Sequence, residues 1–243
     1  MIGLFGKLKQ AGTTQFAFPD SHMESDDEPN PLVSGDSTEY VQTGSCQGDS
    51  RANFNGGLSI VVRDLNERLP KEELHRRFID ALGHQSIRSH TTLSSKPCEL
   101  DLAPPLPHLL RVYIYNATRP PGGRPLGEHK VQIIAPGQRR GERGNFDNTG
   151  GRVALLAGYV AEDDVFVIWD AGLYVDFAWS RNVQVRTETI IAAAAGSLAT
   201  QQRYLRPTNG PPTTETVIAA QPQLLAAALI RRMELIRERL LQD

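Results

Sequence analysis

Glu128 and Lys130 stand two residues apart in the run EHKVQIIAP. On a β-strand that spacing projects both groups from one face, because side chains alternate with period two. A carboxylate and an ammonium side by side are parts of a metal-dependent phosphodiesterase, the acid holding the cation and the lysine lying near the attacked phosphate. Such a site needs a second acid at the same end of the sheet. Asp170 is the candidate, since VFVIWD is a hydrophobic run that ends on an acid and is followed by Ala-Gly, which delivers a carboxylate where a strand meets a loop. Glu128 and Asp170 would then be the metal ligands for magnesium, and Glu128, Lys130 and Asp170 the catalytic set. The competing reading of Glu128 and Lys130 is a solvated strand face continued by Gln132, opposite a packed face of Val131 and Ile133.

A second chemistry is carried by arginines and amides. The connector RPPGGRPLG presents Arg119 and Arg124 on a loop in which proline limits freedom and glycine lets backbone approach a phosphate. GQRRGERGNFDNTGG adds Arg139, Arg140 and Arg143 with the amides of Asn145 and Asn148, and Arg181, Asn182, Gln184 and Arg186 form a third polar cluster. Arg119, Arg124, Arg139, Arg140 and Arg143 suit phosphates, whereas Asn145, Gln184 and Arg186 suit base edges. Each stretch alone reads as an ordinary surface loop; their recurrence on several connections of one sheet supports reading them together as a surface for double-stranded DNA.

The elements that must position these residues are legible as periodicities. KEELHRRFIDAL, opened by Pro70 and closed by Gly83, repeats Leu74, Phe78 and Leu82 at helical spacing. LSIVV, from Leu58, reads as a short strand. LLRVYIYNAT and EHKVQIIAP read as one hairpin, RVALLAGYV and DVFVIWD as a second with an acidic turn. NVQV is a short strand or the start of a helix. Thr187 is placed to cap the Ala-rich run ETIIAAAAGSLATQQ, ETVIAA is a strand, and Pro222 opens a closing helix with the stripe Leu225, Leu229, Ile236 and Leu240. The order β, α, β, β, β, β, α, β, α predicts an α/β (α+β) fold, a mixed and largely antiparallel sheet flanked by helices.

Charge is distributed unevenly along the 243 residues, whose net charge is −2 and of which 40% are hydrophobic. Residues 20–49 carry Asp20, Glu24, Asp26, Asp27, Glu28, Asp36, Glu39 and Asp49 and no lysine or arginine. Residues 1–56 therefore read as an acidic, low-complexity, disordered tail, and 57–243 as a single mixed domain. Across 119–152 the balance reverses: Arg119, Arg124, Lys130, Arg139, Arg140, Arg143 and Arg152 face Glu128, Glu142 and Asp147, a local cationic field able to hold phosphates. Cys46 and Cys98 have no metal-ligand spacing, the six histidines are scattered, and GxSxG, HExxH, P-loop and GxGxxG patterns are absent. Without a run of roughly 18 apolar residues or a secretory h-region in MIGLFGKLKQAG, the chain is expected to be soluble and cytoplasmic.

The αβββαβ order from Lys71 onward resembles the core of the PD-(D/E)xK nucleases if the second hairpin counts as one elaborated strand. In that family the aspartate precedes the Glu-x-Lys strand; here RVYIYN offers Asn116 and, farther back, Asp101. A second likeness rests on Tyr113, Tyr115, Asn116 and Thr118, then Arg124, Pro125, Glu128, Lys130 and Gln132, then Gly158, Tyr159 and Asp170, then Ser180, Gln184 and Val185. In this series residues 110–222 resemble uncharacterised domains of bacterial restriction-modification and phage-defence proteins. The resemblance implies a DNA-recognition or restriction-endonuclease role beside other restriction or defence subunits. The expectation is thus a DNA-recognition protein of such a system, with a magnesium-dependent endonuclease as the alternative. A structural adaptor docking a partner through its C-terminal leucine stripe is the third reading.

Overall fold

A computed structural model describes residues 68–119, 127–206 and 212–242. The expected tail and the run from Leu58 lie outside the described residues, as does Arg124. Seven strands form one sheet, in the order β1 (Ile87–His90), β2 (Cys98–Leu102), β3 (Leu109–Asn116), β6 (Val153–Val160), β7 (Val165–Trp169), β11 (Thr213–Ala220) and β10 (Ala199–Leu205). Every neighbouring pair is antiparallel except β3 and β6, which run parallel. The remaining strands make two short ribbons, β4 (Glu128–Ile133) with β9 (Arg181–Arg186), and β5 (Arg143–Gly144) with β8 (Phe177–Ala178). The mixed, mostly antiparallel sheet with flanking helices is the fold that the periodicities predict.

The central strands are nearly continuous apolar runs because both sheet faces are covered. Leu155, Ala157, Tyr159, Phe166 and Ile168 pack against α1 (Lys71–Leu82) and α3 (Leu225–Leu240). Leu156, Val160, Val165, Val167 and Trp169 pack against the β4–β9 ribbon and α2 (Thr187–Ala194). In α1 the Leu74, Phe78 and Leu82 stripe is buried as the spacing predicts, each side chain contributing about 1.5–3 kcal/mol of apolar burial. The ribbon seats closely because β6 carries Gly158 beneath it: a Cβ there would lie 2.9 Å from Val131 Cγ2 and 3.0 Å from Trp169 Cζ3.

Several expectations are corrected. β3 and β4 do not form a hairpin, because β3 is occupied on both edges by β2 and β6. With both of its faces buried, β3 belongs inside the sheet, whereas β4 buries only alternate residues and forms a second layer. The β6–β7 hairpin does form, across the expected acidic turn. The Ala-rich helix stops at Ala194; Gly196 comes next but one at φ 91°, and ATQQRYL leaves as β10. Thr187 is the first helical residue, and Arg186 occupies the capping position. Strands β1 and β2 come from residues 84–108, a polar stretch with Pro97, Pro104, Pro105 and Pro107, where CELDL alternates buried and half-buried positions. On α3, Leu225 and Leu229 are buried, but the next inward position is Arg232, and Leu240 is 61% exposed. Among the described residues no helix is long and apolar enough to cross a membrane.

Candidate functional site

The β4–β9 ribbon is antiparallel and in unbroken register: Glu128 faces Arg186, Lys130 faces Gln184, and Gln132 faces Asn182. The intervening residues His129, Val131, Val183 and Val185 are buried against the sheet. Period-two alternation therefore divides six outward polar side chains from the apolar underside, and two clusters remote in sequence become one surface. The ribbon is pinned from below by Trp169 Nε1, which donates to the Gln184 carbonyl at 3.3 Å. Its other edge is held by the paired backbone bonds of Lys130 with Thr118, at 2.8 and 3.0 Å.

Along that edge lies a polar basin of about 290 Å³, lined by Arg68, Tyr115, Asn116, Thr118, Arg119, Lys130, Gln132 and Asn182. Its floor is rigid. Asn116 holds the start of α1 through two bonds, accepting from Leu69 N at 2.9 Å and donating to Leu69 O at 2.9 Å. Arg68, Arg119 and Lys130 line the basin with Asn182, a set suited to an anion, while the amides of Asn116 and Gln132 donate to Leu69 O and Ser180 Oγ. Arg119 is partly neutralised, its Nε lying 3.3 Å from Glu162 Oε1.

His129 lies under the ribbon, its Nε2 also 3.3 Å from Glu162 Oε1. Burial holds its pKa below the usual histidine value, against the upward pull of Glu162, so the ring is neutral near pH 7. Among the described residues, His129, Glu162 and Asp163 are the group of metal-ligand types that come together, within 4.8 Å. The Arg119 guanidinium already occupies this carboxylate, which makes the cluster a compensated ion network.

Other expected site residues are distributed around the ribbon. Arg139 and Arg140 are exposed on the loop leaving β4. Arg143, in β5, pairs with β8 just before β9 begins, and its guanidinium donates to the Asp176 carbonyl and lies 3.2 Å from the Asp176 carboxylate. Asn145 Oδ1 accepts from Asp176 N at 2.7 Å, a bond that closes the loop. Gln184 and Arg186 stand on the outward face. Arg152, counted in the cationic run, is instead bound to Glu99 and Asp101, at 3.1 and 2.9 Å.

Asp170 is not brought to Glu128. It turns toward α3, where Arg239 Nε lies 2.9 Å and Arg232 Nη1 3.9 Å from Oδ2, on the sheet face opposite the ribbon. Trp169 faces the ribbon, so the next residue must face away. Two basin residues escaped sequence reasoning: Arg68, whose only signal was its charge, and Asn116 in its holding role, a polar residue on an otherwise apolar strand.

A family model described as methylase-associated X1 matches residues 108–229. No curated protein and no solved structure matches the chain.

Proposed function

Because the chain belongs to the methylase-associated X1 family over residues 108–229, we propose that it is the DNA-recognition component of a restriction-modification system, acting beside a methylase. The observation that carries this reading is the ribbon register, which aligns Lys130 with Gln184 and Gln132 with Asn182 on one outward face. A two-stranded ribbon fits the major groove of B-DNA, and amide side chains can pair bidentately with adenine, as arginine can with guanine. Gln184 and Arg186 are the proposed base readers, with Asn145 at the loop margin. Arg119, Arg124, Arg139, Arg140 and Arg143 are the proposed phosphate contacts that fix the ribbon on the duplex. Glu128, opposite Arg186, would orient that guanidinium.

The test is fluorescence anisotropy with unmodified and methylated duplexes at a series of salt concentrations, with a parallel plasmid-cleavage assay in magnesium. The expected result is salt-steep binding without cutting, because phosphate contacts release counterions. Magnesium-dependent cutting abolished in Glu128→Ala would replace this reading by an endonuclease one. Absence of any DNA binding would leave the chain an adaptor for its partner subunits.

A further inference from the structure

The seven-stranded sheet ends in two edges that are built differently. β1 has four residues, its register with β2 shifts between Ile87 and Ser89, and Arg88 and His90 stand on it. Short length, irregular pairing and charge are devices that keep a sheet edge from pairing with another chain. β10 is the opposite case. Its seven residues, ATQQRYL, pair with β11 in unbroken register from Ala199 to Leu205 and include neither proline nor lysine. Its single charge, Arg203, lies 3.5 Å from Glu215 on the neighbouring strand and is neutralised there. Among the described residues no strand pairs with the outer edge of β10, and no backbone bond from a loop or helix reaches residues 199–205.

An open edge presents a row of unpaired N–H and C=O groups, a template for one more strand. The side chains of β10 divide by face. Ala199 packs with Val217 and Ala219 in the core beneath the ribbon layer, and on the same face Gln201 Oε1 accepts from Arg186 N at 2.8 Å. The alternate residues Thr200, Gln202 and Tyr204 are exposed on the other face, Tyr204 at 74%. Leu198, one residue before the strand, is 37% exposed.

We propose that this edge binds the same edge of a second copy of the chain, the two β10 strands running antiparallel across a two-fold axis at Gln202. An axis relating antiparallel neighbours stands perpendicular to the sheet, so every residue meets one that faces the same side, and the contact is self-complementary. Gln202 is the middle residue of the strand, and an axis there pairs all of it: Gln202 with itself, Gln201 with Arg203, Thr200 with Tyr204 and Ala199 with Leu205. An axis one residue further on would set Arg203 against its own copy, and like charges directly opposite are destabilising. One residue back, the pairing within the strand shrinks to 199–203. In the Gln202 register the Tyr204 ring lies opposite Thr200 of the second copy and diagonal to its Leu198. An aromatic ring beside a β-branched residue is a favourable cross-strand pair, and the two-fold axis supplies it twice. The inference is independent of the DNA-recognition reading.

The test is sedimentation velocity on the full chain over a concentration series at low salt, for the wild type and for Gln202→Lys and Gln202→Glu. Residue 202 is exposed, so neither variant disturbs the core, which unchanged thermal melting of the monomer would verify. The expected result is a monomer–dimer equilibrium in the wild type, about fivefold weaker in each variant because like charges meet at the axis. An equimolar mixture of the two variants sets lysine against glutamate and should restore the dimer to at least the wild-type level. A wild-type chain that stays monomeric at every concentration overturns the proposal and leaves the edge to a strand of other origin. A dimer that neither charge weakens, or that the mixture fails to restore, forms through another surface and overturns it equally.

Discussion

Where β7 ends, Asp170 takes Arg232 and Arg239 from α3, while Glu215 accepts from the Tyr174 hydroxyl at 2.6 Å and from Asp170 N at 3.1 Å. On the β4–β9 ribbon, Lys130, Gln132, Asn182, Gln184 and Arg186 use the same kinds of group, but these are turned outward. Burial raises the pKa of Glu215 and Tyr174 and lowers that of Arg232, the mark of charges held in a low dielectric by their partners. The ribbon groups keep water on one side. A charged residue at a strand end is thus no guide to chemistry until its partners are known: Asp170 is committed to helix packing, and Lys130 is available.

Asp170 is where the two regions differ most. Asp170→Ala takes from Arg232, whose side chain is 2% exposed, one of the two carboxylates that face it, the other being Glu215. A loss of about 3–5 kcal/mol is expected in urea unfolding, with unchanged DNA affinity in the folded fraction. A near-neutral effect on stability, or selective loss of a magnesium-dependent activity, would return Asp170 to the site. Next comes the junction of the two regions: Gly158→Ala drives a Cβ into Val131 and Trp169. It should cost about 1–3 kcal/mol and increase hydrogen exchange of the ribbon amides relative to those of β3.

On the ribbon itself the expected pattern is inverted. Gln184→Ala should cost about 1–3 kcal/mol of binding to the preferred duplex, and Lys130→Ala should reduce the salt slope by about one. Both should leave stability within about 0.5 kcal/mol. A loss of stability without a loss of affinity would make the ribbon a second structural region.

The smallest effect is on pH dependence. His75 and His129 both titrate below 6.5 in the folded chain, chiefly through burial. The unfolded chain therefore takes up protons first as pH falls, so stability declines on acidification through 6.5 and below, by at most about 1.4 kcal/mol per pH unit for each ring. His129→Gln should flatten that slope. For His129 the groups to account for are Glu162 and Asp163, which raise its pKa, and Arg119, which lowers it.

How far the sequence could be read depends on the range of each interaction. Alternation in EHKVQI identified which side chains share a face, because period two is a property of the strand alone, whereas RNVQVR read equally as strand or helix entrance until its pairing with β4 made it a strand. The same locality made α1 readable from Leu74, Phe78 and Leu82. It misled at residues 187–201, where alanines favour a helix that in the fold ends before Gly196, and β11 recruits ATQQRYL as the edge strand of the sheet. Pairing was not legible, because β4 finds β9 across residues 134–180, with β2 and β6 filling both edges of β3.

The polar face of β4, the buried stripe of α1 and the mixed, mostly antiparallel character of the sheet are written in local residue patterns. That Glu128 and Lys130 lie against Arg186 and Gln184, with Asp170 turned to α3, follows from how the layers pack. The direction of a side chain is set by its own backbone, whereas its neighbours depend on which edges remain open and which face each layer covers.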